Sequence, residues 1–284
     1  MNKKLDSGLD NDGVDEVVIS ASPQSLFQYL RQVWSMRRFA VTLAQREVKV
    51  RHANTYFGLF WVLLYPLPSI IVFTFFFDRI IQVETDDVPY SVFALIGLIG
   101  WNYFTYLSVS LGNVLYESTD LIKKIYFPRL LLLISRILSG ALDFGVSLVL
   151  LAFAMVLFGV FPNHQIIFFP LFVLLNIVFG FTIGIWICIV TYRRKDLMHV
   201  IPVIINFSIW LTPVFFPTTV LPADMADAMY FNPMTLICEG YRFSLVGAPA
   251  PQLIHFASTP VMLLFLVLGI SRFRKIDPFI SERI

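Results

Sequence analysis

Six apolar runs constrain this chain more than any other feature: Gly58 to Phe77, Tyr90 to Leu111, Ile134 to Val160, Ile167 to Val190, Val200 to Phe216 and Leu253 to Ile270. A helix needs about 20 residues to cross roughly 30 Å of hydrocarbon, so the runs predict six membrane-spanning helices. No ten-residue alternation of apolar and polar positions recurs, which argues against a membrane barrel. The 284 residues are 57% hydrophobic and 14% charged, against about 25% charged in soluble domains. A soluble fold of this composition would leave large apolar patches in water. Pro66, Pro68, Pro202 and Pro213 predict kinks, which neighbouring helices tolerate in lipid.

Basic residues fall on alternate connections. Arg31, Arg37, Arg38, Arg46, Lys49 and Arg51 precede the first run, and Lys123, Lys124 and Arg129 follow the second. Arg193, Arg194 and Lys195 follow the fourth, and Arg272, Arg274, Lys275 and Arg283 follow the last. The remaining connections carry Arg79 and Arg242 against Glu84, Asp86, Asp87, Asp224, Asp227 and Glu239. The positive-inside rule therefore predicts that both termini are cytoplasmic. Cys188 and Cys238 then sit near opposite faces, so no disulfide is expected.

Four units follow from this pattern. Residues 1–23, with Asp6, Asp10, Asp12, Asp15 and Glu16, have the composition of a disordered acidic tail and do not resemble a secretory leader. Residues 24–55 carry Leu26, Phe27, Leu30, Val33, Trp34, Val41, Ala44 and Val48 at helical spacing. That pattern suits an amphipathic helix in the cytoplasmic interface, basic face toward anionic headgroups, or a plain juxtamembrane helix. Residues 56–275 form the transmembrane domain, and residues 276–284 a short cytoplasmic tail.

Several chemistries lack their residues. None of the 14 glycines is followed by lysine, so there is no Walker-type phosphate loop. His52, His164, His199 and His255 are scattered, without metal-binding spacing, and no nucleophile elbow occurs. Within the third run, Asp143 lies two helical turns beyond Arg136 on one face. Such a charge either serves conduction or gating, or is buried and hydrogen-bonded to a neighbouring helix.

Four stretches together resemble one family. They are Arg46-Glu47-Val48-Lys49-Val50-Arg51 running into Tyr56-Phe57-Gly58-Leu59-Phe60-Trp61 and Pro66; Leu121-Ile122-Lys123-Lys124-Ile125-Tyr126-Phe127-Pro128-Arg129; Lys195-Asp196-Leu197 with Leu211-Thr212-Pro213-Val214; and Phe231-Asn232-Pro233-Met234 with Arg242 downstream. In order and spacing they are similar to the ABC-2-type transporter permeases that export O-antigen and other surface polysaccharides. The similarity runs over residues 25–275. The family's Arg-Asp stands here as Lys195-Asp196, and its Leu-Gly pair as Phe57-Gly58.

The resemblance implies a permease of six spans, with an N-terminal interface helix, a cytoplasmic coupling helix and periplasmic re-entrant helices before the last span. It implies pairing with a second copy of the chain and with two copies of a separate ATP-binding subunit. ATP and Mg would be held on that partner, and this chain would hold no cofactor and no metal. Glu117, Asp120, Lys123, Lys124, Phe127, Pro128 and Arg129 would form the coupling surface, although a plain basic loop would also explain the lysines. Charge order along that stretch suits a helix dipole. Asn232, Pro233, Glu239 and Arg242 would belong to the outer gate, with Asn232 as N-cap and Pro233 at the first helical position. Candidates for lining the path are Trp61, Tyr65, Phe73, Trp101, Tyr103, Phe104 and Tyr106, whose rings could stack on sugars or simply face lipid.

The expected function is export of lipid-linked polysaccharide, foremost O-antigen, across the inner membrane, with no catalysis in this chain. Capsular polysaccharide or teichoic acid export and a drug or lipid permease remain as alternatives, followed by a secondary transporter or a membrane transferase. Partners are the glycolipid and membrane lipids rather than nucleic acid.

Overall fold

The computed structural model describes residues 25–52 and 88–280 and, between them, Leu64, residues 66–73 and residues 75–76. The acidic tail, Trp61, Tyr65 and most of the first apolar run lie outside the described residues. What is described of that run is chiefly α3 (Pro66–Phe73), which packs against the helix Tyr90–Glu117. All regular structure among the described residues is helical.

Among the described residues, four helical stretches are long and apolar enough to cross a membrane. They are α4 (Tyr90–Glu117), α6 (Leu130–Leu157), α7 (Phe169–Thr191) with a 3-10 turn before it, and α11 (Ser258–Ile276) between two 3-10 turns. The fifth apolar run is shorter than expected. It forms α8 (Leu197–Phe207), with Pro202 inside it, and a 3-10 turn over Ser208–Leu211. At 1.5 Å per residue, 197–211 reaches roughly 22 Å, less than the hydrocarbon thickness. Among the described residues, four of the six expected runs form full-length spans, and most of the first run lies outside those residues.

The described part of the 24–55 segment forms two helices rather than one. Ser25 and Gln28 form a reciprocal capping box that starts α1 (Leu26–Ser35), and Met36 interrupts it before α2 (Arg37–His52). α1 buries Tyr29 and Val33 against the body and leaves Phe27 and Trp34 exposed. Three shorter helices complete the described residues: α5 (Thr119–Lys124), then α9 (Ala223–Met229) leading into α10 (Pro233–Val246).

α4 is the axis of the molecule, buried along most of its length. Its close partner is α7, where Gly180 and Gly184 lie one turn apart. A Cβ at Gly180 would come within 2.8 Å of the Leu107 Cβ, and one at Gly184 within 2.6 Å of the Leu111 Cβ. Small residues at four-residue spacing are what permits such an approach where lipid supplies no hydrophobic drive. Two polar ties fix the pair: Asn176 Nδ2 donates to the Gly100 carbonyl at 3.0 Å, and Thr191 Oγ1 to the Gly112 carbonyl at 2.8 Å.

The outer faces of α6 and α11 are apolar and uncovered. Val149, Phe153, Val156 and Leu157 on α6 and Leu264 and Phe265 on α11 are at least half exposed. Leaving a side chain of this kind in water forfeits roughly 1.5–3 kcal/mol relative to burial. A bilayer removes that cost, and the chain is a membrane protein.

The connections gather at two ends. Tyr116 Oη donates to the Thr191 and Tyr192 carbonyls, Tyr192 Oη to the Phe279 carbonyl and Tyr29 Oη to Asp277. These contacts bring α1, the loops after α4 and α7 and the end of α11 together at a basic end. The predicted tail at 276–284 is partly structural, because Asp277 and Ile280 are buried there. The turn before α7, α9, α10 and the turn before α11 meet at the opposite end.

Candidate functional site

A cavity of about 640 Å³ opens between α2, α4, α6 and α8. α4 supplies Trp101, Asn102, Tyr103, Thr105, Tyr106, Ser110 and Asn113 along one side, α6 adds Gly140, Asp143, Phe144 and Ser147, and α8 adds Asn206. Amides, hydroxyls and rings alternate on its wall. Tyr103 stacks on Phe144 with ring centres 4.5 Å apart, yet its buried hydroxyl has no hydrogen-bond partner among the described residues. The hydroxyls of Thr105 and Ser110 are likewise unpartnered. Unmet polar groups of this kind are costly unless something in the cavity meets them.

The expected lining residues divide on this geometry. Trp101, Tyr103 and Tyr106 face the cavity. Phe104 instead stacks parallel on Phe179 of α7 at 4.9 Å, as part of the α4–α7 packing. Phe73 ends α3, and Trp61 and Tyr65 lie outside the described residues.

At one wall of the cavity the charges pair across helices. Arg51 of α2 reaches Asp143 of α6 at 2.5 Å, Glu47 one turn back at 2.5 Å and the Tyr106 hydroxyl at 2.6 Å. Arg136 bridges Glu47 and, at 2.6 Å, Glu117. Asp143 and Arg136 therefore do not pair with each other; each is neutralised from another helix, and both are partly buried. Sequence reasoning did not single out Glu47 or Arg51 as site residues. The signal available was their i, i+4 spacing, which does not say that they face another helix.

The stretch proposed as a coupling surface also splits. Glu117 ends α4 and is held by Arg136. Asp120, Lys123 and Lys124 of α5 are exposed, with the acid in the first turn and the lysines in the last, as the helix dipole favours. Ile125, in extended backbone, and Tyr126 follow and are about half exposed. Phe127, Pro128 and Arg129 turn inward and are buried. Phe127 meets Phe39 of α2 edge-on at 5.1 Å. The apolar tip Ile125-Tyr126 was not expected, since a basic loop gives no hint of which of its residues points out.

At the opposite end, Arg242 of α10 is almost fully buried. Its guanidinium donates to the Pro213 and Val214 carbonyls at 2.7 Å each, pairs with Glu239 at 3.1 Å and lies 3.6 Å from the Phe93 ring centre. The reason is local: Pro213 stops the fifth run, and the carbonyls freed there need donors away from water. Gly97 makes room, since a Cβ there would sit 2.6 Å from the Val214 oxygen. Asn232 caps α10 by accepting from the Met234 amide, and its amide nitrogen donates to Thr212 Oγ1 at 2.9 Å. Pro233 occupies the first turn. Asn232, Glu239 and Arg242 thus all brace the unwound segment 212–218, Glu239 by accepting from the Thr218 amide at 3.4 Å.

Comparison with known proteins gives one family match: residues 39–246 fit the model described as ABC-2 type transporter. Among curated proteins, an O-antigen export system permease protein, RfbA of Myxococcus xanthus, is 24% identical, over 88% of this chain and 97% of that protein. A protein of the same description from Klebsiella pneumoniae is 20% identical, over 85% of this chain and 93% of its own. The polysialic acid transport protein KpsM of Escherichia coli is 22% identical, over 81% and 91%.

Proposed function

Because this chain belongs to the ABC-2 type transporter family, we propose that it is the permease half of an ATP-driven exporter of lipid-linked surface polysaccharide, foremost O-antigen. Two copies work with two copies of a separate ATPase subunit, which carries ATP and Mg; this chain catalyses nothing. The basic end, with Lys123, Lys124, Arg193 and Arg194, faces the cytoplasm of the inner membrane under the positive-inside rule. There α1 lies in the interface with Phe27 and Trp34 toward lipid, and the tip Lys123 to Tyr126 meets the ATPase. The segment around Arg242, Asn232 and Glu239 closes the outer end.

The observation that carries the reading is the cavity. Trp101, Tyr103 and Tyr106 offer rings, and Asn102, Asn113, Asn206, Thr105 and Ser110 offer amides and hydroxyls, which is the chemistry a hydroxyl-rich polymer needs. The E. coli similarity supports a second reading, capsular polysaccharide.

The test is complementation. In cells lacking the chain, lipid-linked polymer should build up inside, and export should return only when both chain and ATPase are present. Attachment of the exported polymer to lipopolysaccharide favours O-antigen, and a capsule favours the second reading. Export without any ATPase, or a polymer altered in structure rather than location, would overturn the proposal.

A further inference from the structure

Asp277 sits where nothing in the functional reading requires a charge. It follows α11, opens the 3-10 turn Asp277–Phe279 and is buried. Three groups from distant parts of the chain meet its carboxylate. The Tyr29 hydroxyl of α1 donates at 2.6 Å, the Arg129 amide at 3.3 and 3.4 Å, and the Arg129 guanidinium lies 3.5 Å away. A buried carboxylate without donors would be expensive; Tyr29 and Arg129 offset that cost in part, while burial still holds the Asp277 carboxyl above the ordinary carboxylate range.

The geometry also places it mechanically. Arg129 is the N-cap of α6, so its amide is among the donors a helix leaves unmet, and a carboxylate there suits the positive end of the helix dipole. Arg129 in turn lies beneath the exposed tip, its guanidinium 5.2 Å from the Tyr126 ring centre. On the far side, the turn that carries Asp277 is tied to the loop after α7 by Tyr192 Oη, which donates to the Phe279 carbonyl at 3.0 Å. Burial, then the neighbouring Asp277, hold the Tyr29 hydroxyl far above the ordinary phenol range, so it stays a donor.

We propose that Asp277 is the positioning residue of the coupling machinery: it locks the tip Ile125-Tyr126, the start of α6 and the interface helix α1 into one unit, so that a push on the tip moves both helices. The inference rests on the reading of that tip as the ATPase contact.

The test compares Tyr29→Phe, Asp277→Asn and Asp277→Glu in the full permease–ATPase complex. Three quantities are read: the ATPase co-purified per permease, the ATP hydrolysed, and the polymer exported per ATP. Tyr29→Phe keeps the ring and removes one donor, so it guards against a folding defect. In Tyr29→Phe and Asp277→Asn, ATPase binding and hydrolysis should persist while polymer per ATP falls at least about fivefold, the lower end of site-to-site coupling. Asp277→Glu should recover part of the loss. Polymer per ATP equal to wild type in both Tyr29→Phe and Asp277→Asn, whatever their abundance, overturns the proposal. A wild-type chain that binds no ATPase and exports nothing overturns the reading beneath it, and the inference with it.

Discussion

The Arg242 guanidinium donates to the Pro213 carbonyl at 2.7 Å, so a buried charge holds the point at which the fifth apolar run unwinds. Arg242→Gln should leave Glu239 without its counter-charge and two carbonyls short of donors, a loss of about 3–5 kcal/mol for a broken buried pair. Arg242→Lys should recover only part of it, because one ammonium replaces two nitrogens that reach different carbonyls. Thermal unfolding of the purified permease reads this out. An unchanged midpoint for Arg242→Gln would show that the segment 212–218 is held by something else.

Tyr103 and Phe104 are neighbours in sequence with opposite surroundings. Tyr103→Phe removes a buried hydroxyl that has no partner among the described residues, so stability should hold or rise by a fraction of a kcal/mol, while export falls. Phe104→Ala empties the stack on Phe179 and should cost about 3–5 kcal/mol of stability, export falling only as the protein is lost. Measuring thermal midpoint and export for the two variants side by side separates lining from packing. The reverse pattern would remove Tyr103 from the path.

The tip of the basic end makes a third contrast. Lys123→Glu with Lys124→Glu, or Tyr126→Ala, alters exposed residues and should leave permease abundance unchanged while ATPase co-purification drops. Phe127→Ala acts one residue further on but empties a core position, so abundance itself should fall, by the roughly 3–5 kcal/mol of a buried aromatic. Retained ATPase binding in both tip variants would place the contact elsewhere.

Much of the architecture was legible because each apolar run carries its own signal: α4, α6, α7 and α11 each cover most of an expected run, with ends displaced by a few residues in either direction. The cap of α10 was equally local, since Asn232-Pro233 states a helix start in two residues. What failed to show depends on partners far along the chain. Arg51 and Asp143 are 92 residues apart, and no spacing rule connects them. Arg129 looked like one more basic loop residue, yet Asp277, 148 positions on, turns it inward. Asp277 itself, followed by Pro278 near the end of the sequence, reads as tail. The break at Met36 was hidden because apolar spacing continues through it, and the short fifth helix because its run counts residues beyond Pro213 that are apolar without being helical.

The most direct measurement is polymer transfer into inside-out membrane vesicles that contain the permease and its ATPase, loaded from outside with lipid-linked polysaccharide. The account predicts that polymer becomes protected in the lumen only when ATP, the ATPase and this chain are all present, and that combined alanines at Trp101, Tyr103 and Tyr106 suppress transfer while ATPase binding persists. Protection that needs no ATP, or full transfer by the triple alanine variant, would contradict it.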